Sequence, residues 1–318
     1  MSKSRNIVEE IMEIRSRQPN AHFSESSIRL MYLGSAYKSR QNIDKELWRY
    51  FPISIIACLE AFFRLAIKQL IDAGEPYLTN SQYLLGKKRI DFDVLKALHG
   101  QSITIGDIAA HLISVNNLNQ ISEVMSELLG HDFLKEVSQT HDRCNVEVFK
   151  HPKRAIISDS NITFRFVART FELRHIFCHE FANKYELDTS EVEWCFEHSC
   201  KFLRASEEHI WQTLSPDEPL TQTDMNIDMA KKCDVERKKL DTLIQRVLEY
   251  LTTKQTAEFL KANKAWEEFL LASAHVEGLQ YEGGTIRPLI EGGAILTLLK
   301  ERIQNLESLV ETVQPQDL

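Results

Sequence analysis

The chain has 318 residues, 43% of them apolar and 26% charged, with only 11 Gly and 8 Pro. That length suits two domains of ~100–200 residues each, and the scarcity of Gly and Pro favours helices and argues against disorder. A formal charge of −8 excludes a protein that coats nucleic acid by bulk electrostatics, because phosphate binding draws on counterion release by many Lys and Arg side chains.

In chain order, weak 3.6-residue periodicity predicts helices at Ile7 to Arg17 and Ser24 to Tyr37. Pro52 to Asp72 (PISIIACLEAFFRLAIKQLID) has Pro in the first turn and is apolar nearly all round, with Glu60, Arg64 and Lys68 at i, i+4 spacing on one narrow strip. It reads as the central helix of a bundle, with Glu60 and Arg64 as an i, i+4 ion pair. Its most apolar run, Pro52 to Leu59, is shorter than the ~18–20 residues of a membrane span, and none is expected.

Helices follow at Phe92 to Leu98, Ile105 to Val115 and Leu118 to Leu129, with turns at Gly74-Glu75-Pro76 and Gly130-His131-Asp132. The cap cluster Asp159-Ser160-Asn161 opens a helix to about Tyr185, and Ser190 with Glu193 forms a capping-box pattern for a second, to about Leu214. Ser215-Pro216-Asp217-Glu218-Pro219 then breaks the pattern. It divides the chain into residues 1–214, a linker at 215–220 and residues 221–318. The last part reads as three antiparallel helices, Gln222 to about Leu251, Thr256 to Glu277 and Gly293 to about Val313, with turns at Gly283-Gly284 and Gly292-Gly293. The fold class is all-α.

Six cysteines (Cys58, Cys144, Cys178, Cys195, Cys200, Cys233) are scattered without a CxxC pair, and MSKSRNIVEE has no apolar signal core. A reducing cytoplasm is the expected location. Two local basic spots stand out, Lys87-Lys88-Arg89 and Lys150, His151, Lys153, Arg154. Each reads first as a solvated loop.

The stretch Phe171 to Phe181 holds Arg174, His175 and His179. At ~100° per residue, Phe166, Thr170, Leu173, Phe177 and Phe181 share one stripe, the expected buried face, and both histidines point about 160° away from Phe177. Arg174 lies on the flank. Two imidazoles and a guanidinium make a cationic patch that titrates near neutrality and suits a phosphodiester. His175 and His179 also have the spacing of helical zinc ligands, but Cys178 points elsewhere and Cys195 belongs to an apolar stripe, so no metal site is expected.

Arg174-His175-Ile-Phe-Cys-His179 resembles the R-x(4–6)-H signature of the HEPN superfamily, and Cys58-Leu-Glu60-Ala-Phe62 and Ile121 to Phe133 are similar to the core helices of its RiboL-PSP-like branch. The resemblance covers about residues 24–214. It departs at Glu180-Phe181, where a small residue is common after the histidine. The resemblance implies metal-independent endoribonuclease activity at the interface of a homodimer. His179 would be the acid–base residue, Arg174 the phosphate clamp, His175 a third member and Glu60 a possible support. It further implies a toxin or anti-phage effector whose substrate is RNA; the alternative is a catalytically inert HEPN dimer that binds RNA or protein. No cofactor is expected.

Residues 221–311 resemble the LprI-type lysozyme-inhibitor family through Thr221 to Asn226, Leu240-Asp-Thr-Leu, Ala262 to Phe269, Tyr281 to Ile286 and Leu296 to Leu306. The positions near Ile227, Ala274 and Glu291, where the family carries disulfide cysteines, lack them, which fits a cytoplasmic version. A recognition or regulatory module with a protein ligand is the reading this implies.

Overall fold

The computed structural model describes residues 7–17, 21–38, 45–86, 92–100, 102–180 and 185–313. Among these every regular element is an α-helix, and the one ladder contact is an isolated antiparallel bridge between His141 and Ala155. The helices fall into two compact units, residues 1–216 and 217–318.

The first unit contains α1 (Ile7–Arg17), α2 (Glu25–Lys38), α3 (Lys45–Trp48), α4 (Tyr50–Asp72), α5 (Tyr77–Leu85), α6 (Phe92–His99), α7 (Ile105–Leu112), α8 (Leu118–Leu129), α9 (Phe133–Gln139), α10 (Arg143–Glu147), α11 (Ser160–His179) and α12 (Thr189–Leu214). Twelve residues of α4 are buried, because α2, α7, α11 and α12 all pack against it. A helix that is apolar nearly all round has to be enclosed on all sides. By length and mean hydropathy (1.7) the stretch Glu46–Asp72 would pass for a membrane span, a longer apolar stretch than the sequence reading allowed, but 56% of its most apolar window is buried inside the fold.

Aromatic rings fill the centre edge to face, as their quadrupoles favour. Phe62 meets Phe63 at 4.9 Å and Phe23 at 5.5 Å, and Phe63 meets Phe133 at 5.9 Å. α7 crosses α4 at Gly106, whose N–H donates to Asp72 Oδ1 at 3.1 Å. A Cβ there would overlap the backbone oxygen of Lys68. Gly130 ends α8 in the left-handed region (φ 75°), and Asp132 caps α9 by accepting from the Lys135 N–H at 3.0 Å.

Four elements escaped the sequence reading: α3, α5, α9 and α10 have four to nine residues each, too few for a periodic stripe to emerge. α12 begins one residue before the expected capping box. Its N-cap is Asp188, which accepts from the Ser190 N–H at 2.9 Å.

The second unit holds α13 (Gln222–Tyr250), α14 (Thr253–Leu279) and α15 (Arg287–Val313). Both α13 and α14 pack on α15, around Leu240, Ile244, Leu270, Leu299 and Leu306. Gly283 takes the expected turn conformation (φ 76°). The turn expected at Gly292-Gly293 is instead the interior of α15, which starts at Arg287. The glycine serves close packing: a Cβ on Gly292 would overlap Met229 of α13.

Candidate functional site

Asp159 accepts from the Ile162 N–H at 2.9 Å and fixes the phase of α11. Thr163, Val167, Thr170, Phe171 and Leu173 are then buried. The predicted stripe is thus off-centre. Phe166 and Phe177 are half-buried, Phe181 lies outside the described residues, and Val167 and Phe171 point into the core. The cause is that α11 packs against both α4 and α12, so two partners bury an arc of about 160° at ~100° per residue rather than one narrow stripe.

That wider arc changes the place of Arg174. It lies within the arc, not on its flank, and its Nη2 stands 3.8 Å from Glu60 Oε1 on α4, the two side chains 31% and 19% exposed. Among the described residues Glu60 pairs with Arg174, not with Arg64 one turn along. The Glu60 Oε1 atom is buried and accepts no hydrogen bond, so charge rather than hydrogen bonding holds the pair.

His175 and His179 are exposed on the opposite face, their ring centroids 5.2 Å apart and tilted at 48°. His175 enters a cleft of about 510 Å³ whose far wall is Asn116, Asn117 and Asn119 at the start of α8. Asn117 caps α8 through its Oδ1, which accepts from the Gln120 N–H at 2.9 Å. These carboxamides were missed in sequence. The run Asn116-Asn117-Leu-Asn119 was the available signal, but nothing in the chain reveals that it faces His175, some 58 residues on.

An arginine network fixes this end of α11. Arg169 Nε donates to Glu191 Oε1 at 2.7 Å and its Nη1 to Glu172 Oε2 at 2.9 Å, and hydrogen bonding to Glu191 above all raises its already high pKa. Glu172 also lines the cleft, so Arg169 offsets one acidic charge beside His175. Arg49 lies over the Phe177 ring at 5.7 Å.

The rival constellation does not assemble. Cys195 and His198 are buried, and His198 stacks against both Phe166 (5.2 Å) and Trp194 (5.7 Å), which also stack on each other at 5.6 Å, while its Nδ1 meets Thr163 Oγ1 at 2.9 Å. Burial lowers the His198 pKa and pushes the Cys195 and Cys200 thiols up to about 11 and about 12, so both stay protonated at neutral pH. Among the described residues no three His, Cys, Asp or Glu side chains converge as metal ligands would.

Of the basic spots, Lys87-Lys88-Arg89 lies outside the described residues. Lys150, His151, Lys153 and Arg154 are exposed, with His151 and Arg154 bordering a second cleft of about 410 Å³ alongside Arg204. A further pair, unseen in sequence because its members are far apart in the chain, is His131 and His209, whose Nε2 atoms meet at 2.9 Å. Burial, reinforced by His131, pushes His209 down to about 4.

In the second unit Thr221 caps α13 by accepting from the Asp224 N–H at 3.1 Å, Asn226 Nδ2 donates to Thr285 O at 3.2 Å, and Arg302 lies over Trp266 at 5.5 Å. Each of these belongs to the segments that carried the resemblance in sequence. Residues 215–306 match the family model described as Lysozyme inhibitor LprI. The chain therefore contains an LprI lysozyme-inhibitor domain there. Its single cysteine, Cys233, is a free thiol donating to Gly292 O at 3.3 Å. No curated protein and no solved structure matches the chain, and nothing identifies a HEPN domain before the LprI domain.

Proposed function

We propose that residues 1–216 are a metal-independent endoribonuclease of HEPN type, acting as a homodimer, with the LprI domain as a recognition or regulatory module. The observation that carries this reading is the division of labour at the end of α11. Two exposed imidazoles stand 5.2 Å apart, while the neighbouring guanidinium is tethered by Glu60 3.8 Å away. In the reaction the 2′-OH of RNA attacks the adjacent phosphate and the 5′-oxygen leaves. His179 of one protomer takes the 2′ proton and His179 of the other returns one to the leaving oxygen, the acid–base roles an imidazole can fill. Arg174 holds the non-bridging oxygens, and His175, with the carboxamides across the cleft, positions the phosphate. RNA is the substrate, and a toxin or anti-phage effector is the biological role we assign.

The test is incubation of labelled RNA in EDTA with the purified chain and with Arg174→Ala and His179→Ala. The proposal expects 2′,3′-cyclic phosphate ends from the parent chain alone; equal background in all three would overturn it. One observation favours a second reading, an inert HEPN dimer that binds RNA or protein: Arg174 is turned onto Glu60, about 100° round the helix from His175. Retained RNA binding without cleavage would decide for it.

A further inference from the structure

Between α1, α4 and α7 lies a pocket of about 410 Å³, within the ~300–1,000 Å³ range of small-molecule sites. Its walls are Ile11, Ile14, Ala61, Leu65 and Ala110. Ile14 is 51% exposed, so apolar surface faces the opening as well as the floor.

The charges at the rim decide what fits. Lys68 Nζ is 2.6 Å from Asp72 Oδ2 and 3.2 Å from Asp107 Oδ1, and Arg15 Nη1 is 3.5 Å from Asp107 Oδ2. His111 Nε2 faces Glu10 Oε2 at 3.2 Å. Each of these basic groups has its own acid. Arg64 is half-buried in the same lining and has no acidic partner among the described residues. A guanidinium that has lost part of its hydration without gaining a counter-charge is unfavourable, and it sits where an apolar body could lie along the isoleucine walls. One spare positive charge calls for one negative charge.

We propose that this pocket binds a small amphiphilic monoanion, a molecule with an apolar body and a single carboxylate, sulfonate or phosphoester head. The body lies between Ile14 of α1 and Leu65 of α4, and the head pairs with Arg64, whose planar fork can hold two oxygens of a carboxylate or phosphate at once. A polyanion such as RNA is disfavoured because Asp107, Asp72 and Glu10 already neutralise the other basic groups. The site stands independently of the ribonuclease reading, although Arg64 lies only one turn along α4 from Glu60.

The test uses the full chain and 8-anilinonaphthalene-1-sulfonate as a fluorescent probe, with decanoate as competitor. Decanoate is expected to displace the probe, and decanol, with the same chain and no charge, to fail at equal concentration. Arg64→Gln is expected to weaken decanoate binding at least tenfold, Arg64→Lys to recover part of it, and Ala61→Trp, which fills the pocket, to abolish binding of both. Should Ala61→Trp not fold, as circular dichroism would show, the Arg64 pair carries the test alone. Equal decanoate affinity in the parent chain and Arg64→Gln, competition by decanol as strong as by decanoate, or no binding of either anion would each overturn the proposal.

Discussion

The Arg174–Glu60 contact makes a measurable prediction about how the candidate site is held. At 3.8 Å two unit charges attract by about 1 kcal/mol in a water-like medium and about 4 kcal/mol at an effective dielectric of ~20. With the side chains 31% and 19% exposed, the pair lies between a surface ion pair and an enclosed one. Loss of side-chain freedom and partial desolvation reduce the net coupling to about 1–2 kcal/mol. A double-mutant cycle with Arg174→Gln and Glu60→Gln measures it in urea unfolding. The background should be Trp266→Phe, so that Trp48, Trp194 and Trp211 report the 1–216 unit alone. Because Glu60 Oε1 is buried, Arg174→Gln alone should cost more than the double variant, since it leaves that carboxylate unpaired. Additivity within ~0.3 kcal/mol would show that the pair does not form in solution and that Glu60 does not position Arg174.

Glu60→Gln should lower RNA cleavage about tenfold, or ~1.4 kcal/mol, where Arg174→Ala abolishes it; unchanged rates would leave the pair a purely structural one. Because His209 is pushed down to about 4, its contribution to stability is fully present above its ordinary pKa near 6.5 and is lost as pH falls toward 4. Chemical denaturation should show about 2 kcal/mol of acid sensitivity in that window, discounted for partial solvent access, and His209→Gln should flatten it. Gly106→Ala should destabilise the first unit by ~2–3 kcal/mol, because the new methyl group meets a backbone oxygen that cannot yield. Gly292→Ala should destabilise the second unit by less than Gly106→Ala does the first: the new methyl group meets Met229 Cγ, which moves only if the whole side chain rotates, and Ala gains ~1 kcal/mol over Gly in a helix. Thermal melts of the two glycine variants check both statements.

What sequence revealed and what it hid follow one physical line. α4 was legible because its apolar residues cover the whole circumference, a pattern only burial satisfies, α8 and α12 through their periodicity, and α11 through the cap residue Asp159. The exposure of His175 and His179 was legible too, since it depends only on helical angle. The inward turn of Arg174 was not. Angle alone gives the direction of a side chain but not how many helices surround it, and the second partner of α11 is what draws Arg174 into the buried arc. The facing of His175 by Asn116 and the meeting of His131 with His209 are contacts between segments far apart in the chain, which no local pattern records.

The LprI domain shows the same logic from the side of energetics. Two of the positions near which the resemblance implies family cysteines, Ala274 and Glu291, lie on α14 and α15. Ala274 is buried, and Glu291 Oε1 accepts from Arg287 Nε at 2.8 Å and stands 3.8 Å from His275 Nδ1. Arg287 in turn approaches His275 Nδ1 at 3.1 Å, so a polar cluster links the two helices in this region. Such a half-exposed cluster contributes at most ~1 kcal/mol, against the ~2–4 kcal/mol typical of a disulfide. The difference falls on the leucine core of Leu240, Leu270, Leu299 and Leu306, where each buried side chain contributes ~1.5–3 kcal/mol. Three helices of 27 to 29 residues supply that core, which is why the domain can hold its fold with Cys233 reduced.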